Sequence, residues 1–348
     1  MRKNIPVRKR EMKPQKSPKQ LKNEIFVVEN EKQEILATLH LNPYKMMFCG
    51  EKVKTNYIVA VATRADCRHQ GMMRSLLQAS LQEMYRREET FTWLMPAAEA
   101  IYRPFGFRFI YEKNKMTVTA DVLQRAETDK NWQIHSDQEV SGDIFCEEAK
   151  KEDLAELACF AEKQLSKLAE VYTVHDIAYF EQRMQEVGCE GGSLILIRKE
   201  KEICGYFLAL KKDREAWEIV VEDAVQKKAL LHWFGASEEK CTFTAFPQIW
   251  EQYAQSENVP AIMGRIVHLE RFVCCLKIKK EQEWKIRLTD SLIPENNGYF
   301  IIKTGIEGGS LIRVENLSEK EKKMFCSMDI GQLTEELFRL PVFLNEVV

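Results

Sequence analysis

Basic and polar residues crowd one short stretch of the chain, ATRADCRHQGMMRSLLQ at 62–78. An apolar run ends at Val61, Ala62 and Thr63. Arg68, His69 and Gln70 follow, then Gly71, and Met72, Met73 and Arg74 open an amphipathic pattern. A strand, a basic turn, one glycine and a helix start form a geometry that binds pyrophosphate. The first helical N–H groups lack partners, the helix dipole adds partial positive charge, and glycine admits an anion close to the backbone. The same residues also suit an ordinary surface helix start, so a second signal is needed. Downstream, AEAIYRPFGF at 98–107 supplies Tyr102, a phenol whose ordinary pKa is about 10. Taken alone, Tyr102 reads as packing beside Phe105 and Phe107.

Several elements must position these residues. EIFVVENEKQEILATLHL (24–41) predicts a hairpin turning at NEKQ. SLILIRKEKEICGYFLAL (193–210) has the same layout, turning at KEKE, and suggests a duplicated unit. Strands are expected at 57–63, 91–95 and 107–119. A helix is expected at 72–88, with Met73, Leu76, Leu77, Ser80, Leu81 and Met84 on one face. A second amphipathic helix is expected near 151–169, carrying Leu154, Leu157, Ala158, Ala161, Leu165 and Leu168. The polar stretch 124–143 reads as a linker. In the last hundred residues, WKIRLTD, YFIIKTG and SLIRVEN predict strands, and Asn297-Gly298 is a hairpin signal. Asp329 and Gln332 are spaced to cap a final helix, IGQLTEELF.

Composition narrows the function classes. The chain has 348 residues, 45% of them hydrophobic, enough for two or three domains with their own cores. It holds no long apolar run that spans a membrane and no apolar signal core behind its N-terminal charges. The ten cysteines are scattered, with no metal-ligand spacing, so a reducing cytoplasm and no metal are expected. Residues 1–22 hold nine basic residues against Glu11 alone, leaving 42 basic against 52 acidic residues elsewhere. The basic arm reads as disordered. The acidic body favours cationic partners and disfavours nucleic acid. His40, His135, His175, His232 and His268 show no paired spacing, Cys67 is assigned no role, and Trp93 is read as packing under the site.

At this point the sequence resembles a known family. RHQGMM (68–73) is similar to the phosphate loop of the GNAT acetyltransferases, and IYRPFGF to the tyrosine turn of their Eis-like branch. GRIVHLERF (264–272), LTDSLIPENNGYF (288–300), MDIGQLTEELF (328–338) and the ending VFLNEVV resemble the same branch. The resemblance spans about residues 24–348 and implies an α/β (α+β) fold with tandem mixed sheets flanked by helices. It divides the chain into a basic tail (1–23), an acetyl-CoA-binding domain (24–123), a linker (124–143), a degenerate GNAT-like domain (144–258) and a small sterol-carrier-like α+β domain (259–348). Two departures stand out. Met73 occupies a position that many members fill with a small residue. Only about 23 residues, many of them basic, precede the first hairpin, so the strand and two helices that the family places there are not expected in this sequence. In the middle domain, WEIVVEDAVQKKALLHW has no glycine where a phosphate loop would fall, and Glu222 and Asp223 would repel an anion.

The resemblance implies acetyl transfer from acetyl-CoA to the primary amine of a cationic small molecule, such as an aminoglycoside or polyamine, or of a lysine side chain. It places Arg68 to Arg74 on the pyrophosphate and Val61, Ala62 and Thr63 along the pantetheine arm, with the Val61 N–H facing the thioester oxygen. Ala97 and Ala98 add backbone contacts. Tyr102 is implied as the general acid and the α-carboxylate of Val348 as the base, with Glu346 its rival by position. A homo-oligomer is implied. A non-catalytic acyl-CoA-binding protein is the alternative function, and a lipid carrier using the C-terminal domain ranks below it.

Overall fold

The computed structural model describes residues 5–11, 23–119, 144–221, 224–234, 240–245, 255–279 and 281–344. The first strands are β1 (Arg8–Glu11), β2 (Glu24–Glu29), β3 (Ile35–Phe48) and β4 (Glu51–Thr63). Helix α1 (Met72–Arg86), strand β5 (Phe91–Leu94), the one-turn helix α2 (Glu99–Tyr102) and strand β6 (Arg108–Val118) follow. Next come β7 (Ile144–Glu148), α3 (Leu154–Leu168), β8 (Val171–Thr173) and α4 (Ile177–Cys189). Then β9 (Ser193–Lys199), β10 (Glu202–Leu210), β11 (Glu215–Val221), α5 (Ala224–Phe234) and β12 (Cys241–Ala245). The last part holds β13 (Gln255–Ile266), α6 (Leu269–Cys275), β14 (Gln282–Thr289), β15 (Gly298–Gly305) and β16 (Gly308–Val314). It closes with α7 (Glu319–Lys322), β17 (Cys326–Asp329), α8 (Ile330–Leu337) and β18 (Val342–Phe343). The fold is mixed α/β, as the sequence implies.

The chain forms two compact units. The first joins Met1–Tyr111 to Glu170–Thr173 and Ala261–Val342; the second holds Glu112–Ala169, Val174–Pro260 and Phe343–Val348. The N-terminal segment and most of the C-terminal segment, separate domains in the sequence reading, thus share one unit. The long-range pairing of Met263–Ile266 with Phe91–Leu94 joins them, and no local pattern encodes it. In the first unit the strand order is β1-β2-β3-β4-β5-β13, with β8 also pairing the far end of β3. A smaller sheet in the same unit runs β16-β15-β14-β17. Strand β1 corrects one expectation: residues 8–11, read as part of a disordered arm, pair antiparallel with Glu24–Val27.

Helix α1 forms because its apolar residues recur at helical spacing. Met72, Leu76, Leu77, Leu81 and Met84 are buried against Phe26, Val28, Leu39, Leu41 and Ile58 of the sheet. Each fully buried Leu of this kind contributes on the order of 1.5–3 kcal/mol. The helix ends at Arg87, whose guanidinium meets both carboxylate oxygens of Glu24, at 2.7 and 2.8 Å. In the small sheet, the loop between β14 and β15 runs through a short 3-10 turn at Pro294–Asn296. Asn297 is therefore not the tip of a tight hairpin. Its side chain accepts from the Asp290 N–H and donates to the Asp290 carbonyl, closing the longer loop. The Asp329–Gln332 capping box forms as expected at the start of α8.

The second unit repeats the element order of the first. Strands β9, β10 and β11, then α5 and β12, follow the order of β2, β3, β4, α1 and β5. In both units the first three strands are antiparallel and the third meets the last in parallel. The repeat that the two hairpins suggest is present in the fold. No described helix is long and apolar enough to cross a membrane. Among the described residues no group of three or more His, Cys, Asp or Glu side chains is placed to hold a metal ion.

Candidate active site

Strands β4 and β5 meet only briefly and then part. Their one register pair is Tyr57 with Trp93. Beyond it, Ala60 takes a left-handed conformation (φ 52°), and the pairing of β4 with β3 slips between Thr38–Ala62 and His40–Val59. A bulge of this kind bends one strand away from its neighbour. Val59 to Thr63 therefore keep β3 on one side and have no strand on the β5 side among the described residues. The backbone N–H and C=O groups along that opening can take an extended ligand as an added strand. Trp93 stands opposite Tyr57 where the strands part, fully buried in a ring cluster with Tyr57 (4.5 Å between centroids) and Tyr44 (5.1 Å), in accord with a packing role.

After Thr63 the chain makes a compact turn. Arg64 grips Asp66 with two hydrogen bonds, of 2.9 and 2.5 Å, so the one acid of the turn is already neutralised. Arg68, His69, Gln70 and Gly71 are exposed. Gly71 has φ 87° and caps α1 without a side-chain hydrogen bond, and the first turn of the helix holds no acid. A Cβ on Gly71 would meet nothing within 4 Å. Open space, free helix N–H groups and basic neighbours suit a pyrophosphate, so the residues present fit acetyl-CoA at this turn. The Cys67 thiol is pushed up, first by desolvation and then by Asp66, which disfavours the nucleophilic thiolate and agrees with assigning it no role.

Tyr102 ends the one-turn helix α2, is 7% exposed, and packs edge-on against Phe107 at 5.9 Å. Burial pushes its pKa up, so the phenol holds its proton. The hydrophobic cluster that contains Tyr102 also contains Met72 and Ile58 and is bordered by Val61, Cys67, Met73 and Phe105. The Arg74 guanidinium lies over the Phe105 ring, 5.9 Å from its centroid. The opening of β4, the Gly71 turn and the tyrosine turn thus meet around one cluster. Ala97 and Ala98 are exposed just before α2, and Ala98 accepts a hydrogen bond from the Ile101 N–H. Val348 and Glu346 lie outside the described residues, as does the 124–143 linker.

Two residues without a role in the sequence reading complete the site's support. Arg265 is fully buried and Arg108 nearly so, and both hold carbonyls of the tyrosine turn. Arg265 stands in the stretch GRIVHLERF, but a lone arginine in an apolar strand carries no local sign of its partner. In the second unit, β11 has its own left-handed residue, Glu218 (φ 53°). Its buried carboxylate accepts from the Tyr179 hydroxyl (2.9 Å) and the Arg183 Nε (3.2 Å). Glu222 and Asp223 lie outside the described residues.

Residues 4–110 match the family model described as an acetyltransferase (GNAT) domain. No curated protein matches the chain. Among solved structures, the fold is similar to a probable N-acyltransferase of unknown function from Enterococcus faecalis. That pair shares 14% identity over 90% of this chain and 79% of the other, with a TM-score of 0.71. It is also similar to a GCN5-related N-acetyltransferase from Anabaena variabilis, with 18% identity over 90% and 80% of the chains and a TM-score of 0.69. Eis1 from Mycobacterium abscessus shares 13% identity over 89% and 78%, with a TM-score of 0.63. The chain therefore carries an acetyltransferase (GNAT) domain in its N-terminal third, inside a fold that nine-tenths of it shares with N-acyltransferase structures.

Proposed function

We propose that the protein transfers the acetyl group of acetyl-CoA to the primary amine of a cationic acceptor, an aminoglycoside, polyamine or lysine side chain. The observation that carries this reading is the parting of β4 from β5 at Tyr57–Trp93, beside the Gly71 turn and Tyr102. Arg68 to Arg74, with the N–H groups at the start of α1, hold the pyrophosphate. The pantetheine arm pairs along Val61, Ala62 and Thr63, and the Val61 N–H faces the thioester oxygen. Ala97 and Ala98 contribute backbone contacts.

In the reaction a neutral amine nitrogen attacks the thioester carbon. The N–C bond forms, the C–S bond breaks, and the thiolate takes the Tyr102 phenolic proton. The amine proton passes to a base, the Val348 α-carboxylate or Glu346, and the phenol is reprotonated from solvent. The second unit serves as a support, its own bulge filled by the Glu218 cluster. Residues 259–348 are the sterol-carrier-like part of the chain, joined through Met263–Ile266 to the sheet of the acetyltransferase domain, and the protein self-associates. A lipid-carrying role gains no support there. Phe272 and Phe338 pack ring to ring at 5.1 Å, and both pack against Phe48 and Phe91, at 4.7 to 6.4 Å.

The test is mass spectrometry of products after incubating untagged protein with acetyl-CoA and a panel of aminoglycosides, polyamines and lysine peptides. One acceptor gaining an acetyl group supports the reading and names the substrate class. Bound acetyl-CoA with no acetylated product overturns it in favour of a non-catalytic acyl-CoA-binding protein.

A further inference from the structure

The tyrosine turn is too short to hold itself. Helix α2 has four residues, Arg103–Phe105 form a single 3-10 turn, and Gly106 reverses the chain at φ 85°. Three carbonyls of this stretch, those of Arg103, Phe105 and Phe107, accept from side chains outside it, and the Arg103 carbonyl also accepts from the Gly106 N–H at 3.1 Å. Each is taken by a buried arginine. Arg108 Nη1 donates to the Arg103 carbonyl at 3.1 Å and to the Phe107 carbonyl at 2.8 Å. Arg265 Nε donates to the Phe105 carbonyl at 2.8 Å and Nη1 donates to the Ile266 carbonyl at 2.9 Å.

Acids far along the chain anchor these arginines. Arg265 Nη2 donates to Asp290 Oδ1 at 2.6 Å, and both side chains are fully buried. Asp290 is itself fixed by the N–H groups of Leu292 and Ile293 and by Asn296 Nδ2, at 2.9 to 3.0 Å. Arg108 lies 3.6 Å from Asp329 and 3.5 Å from Glu335. The fit is close: a Cβ on Gly106 would stand 2.6 Å from Ile330 Cγ2 and 3.1 Å from Arg265 Nε. Leu292 and Ile293 also enter the cluster that buries Tyr102. A buried guanidinium that shares its donors between an acid and a distant carbonyl has little freedom to move, because losing either partner strands a desolvated charge.

We propose that the buried Arg265–Asp290 pair is a positioning device for Tyr102, through which the C-terminal segment aims the general acid of the N-terminal domain. This rests on the acetyl-transfer reading above. On it, the C-terminal segment completes the acetyltransferase site. A misplacement of about 1 Å at a reacting group costs on the order of a hundredfold in rate, so the turn's geometry acts on kcat and leaves acetyl-CoA binding untouched.

The experiment uses the full chain with acetyl-CoA and the acceptor found in the product screen. Tyr102→Phe comes first: if it keeps full turnover, the reading of Tyr102 fails and this proposal falls with it. Given a loss there, the Arg265→Met/Asp290→Leu double variant replaces the ion pair by apolar groups, an exchange that buried pairs often tolerate. The expected result is an intact fold by near-UV circular dichroism, an acetyl-CoA KM within about twofold of wild type, and kcat lower by at least about tenfold. Added to Tyr102→Phe, the double variant should cause little further loss, because both act on one proton transfer. A folded double variant with wild-type kcat overturns the proposal, as does a loss that multiplies fully with that of Tyr102→Phe. If the double variant does not fold, Arg265→Lys decides. It keeps the charge against Asp290 but cannot reach both Asp290 and the Phe105 carbonyl. Reduced kcat at unchanged KM supports the device, and unchanged kcat overturns it.

Discussion

Tyr57 faces Trp93 as the single register pair between β4 and β5, and three residues later Ala60 adopts a left-handed backbone. The two facts belong together. Strand β5 ends one residue after Trp93 and the bulge turns β4, so Val59 to Thr63 keep an open edge for a ligand. A non-glycine residue at φ 52° stores a small strain, on the order of 1–2 kcal/mol. Ala60→Gly should therefore raise stability by about 0.5–1 kcal/mol. Ala60→Val should lower it by about 1–2 kcal/mol and raise the acetyl-CoA KM. Urea unfolding and initial-rate kinetics on the two variants check both.

Gly71 stands at φ 87° with open space where its Cβ would be. Gly71→Ala meets no clash in the free protein, so it should cost only backbone strain, about 1 kcal/mol. Its methyl group projects where an anion would sit. The acetyl-CoA KM should rise by about tenfold, equivalent to about 1.4 kcal/mol, while kcat changes less. Isothermal titration with acetyl-CoA and steady-state kinetics separate the two effects.

Burial holds the Tyr102 proton more tightly than that of a free phenol. The alkaline loss of kcat due to this group should therefore lie above the ordinary phenol value of about 10. Tyr102→Phe should lower kcat by about a hundredfold at unchanged acetyl-CoA affinity. A pH–rate profile of both proteins reads the outcome.

A chain extended beyond Val348 should bind acetyl-CoA normally and turn over poorly, because the added residues consume the α-carboxylate. Glu346→Gln on the untagged chain distinguishes the rival base. The comparison is a C-terminally tagged protein against an untagged one, by product mass and by acetyl-CoA titration. Full turnover of the tagged protein would remove the carboxylate from the reaction.

Glu89 is buried beside Asn56, whose Nδ2 donates to Oε1 at 2.6 Å. Burial pushes its pKa up from 4.5 to about 7, against smaller opposing effects of Asn56 and Arg87. The folded state therefore holds this proton more tightly than the unfolded one. The contribution to stability is fully present below pH 4.5 and is lost as pH rises through about 7. The loss is on the order of 3 kcal/mol. Glu89→Gln keeps the acceptor for Asn56 and should flatten this slope, as denaturant midpoints across that pH range would show.

Much of the first unit is legible in the sequence because its signals are local. The apolar spacing of Leu76, Leu77, Leu81 and Met84 specifies α1 and its buried face, and the polar NEKQ turn specifies the β2–β3 hairpin. Gly71 marks the helix start because few other residues adopt its backbone freely. The two hairpins announce the repeat. Asp329 and Gln332 announce a cap, since a capping box spans only four residues.

What lies between distant segments had to wait for the tertiary structure. Nothing in VAVAT marks Ala60 as the bulged residue, since a bulge is defined by the partner strand. Asn297-Gly298 reads locally as a hairpin tip, yet Asp290, seven residues back, claims the Asn297 side chain. Arg265 and Asp290 are 25 residues apart, and Phe105 is 160 residues from Arg265. Backbone propensity and periodicity act over a few residues, so they determined the elements and the chemistry those elements carry. The placement of Tyr102 depends on buried charges finding partners across the fold. A buried charge must be satisfied wherever the folded chain can reach it, and only the tertiary structure decides where that is.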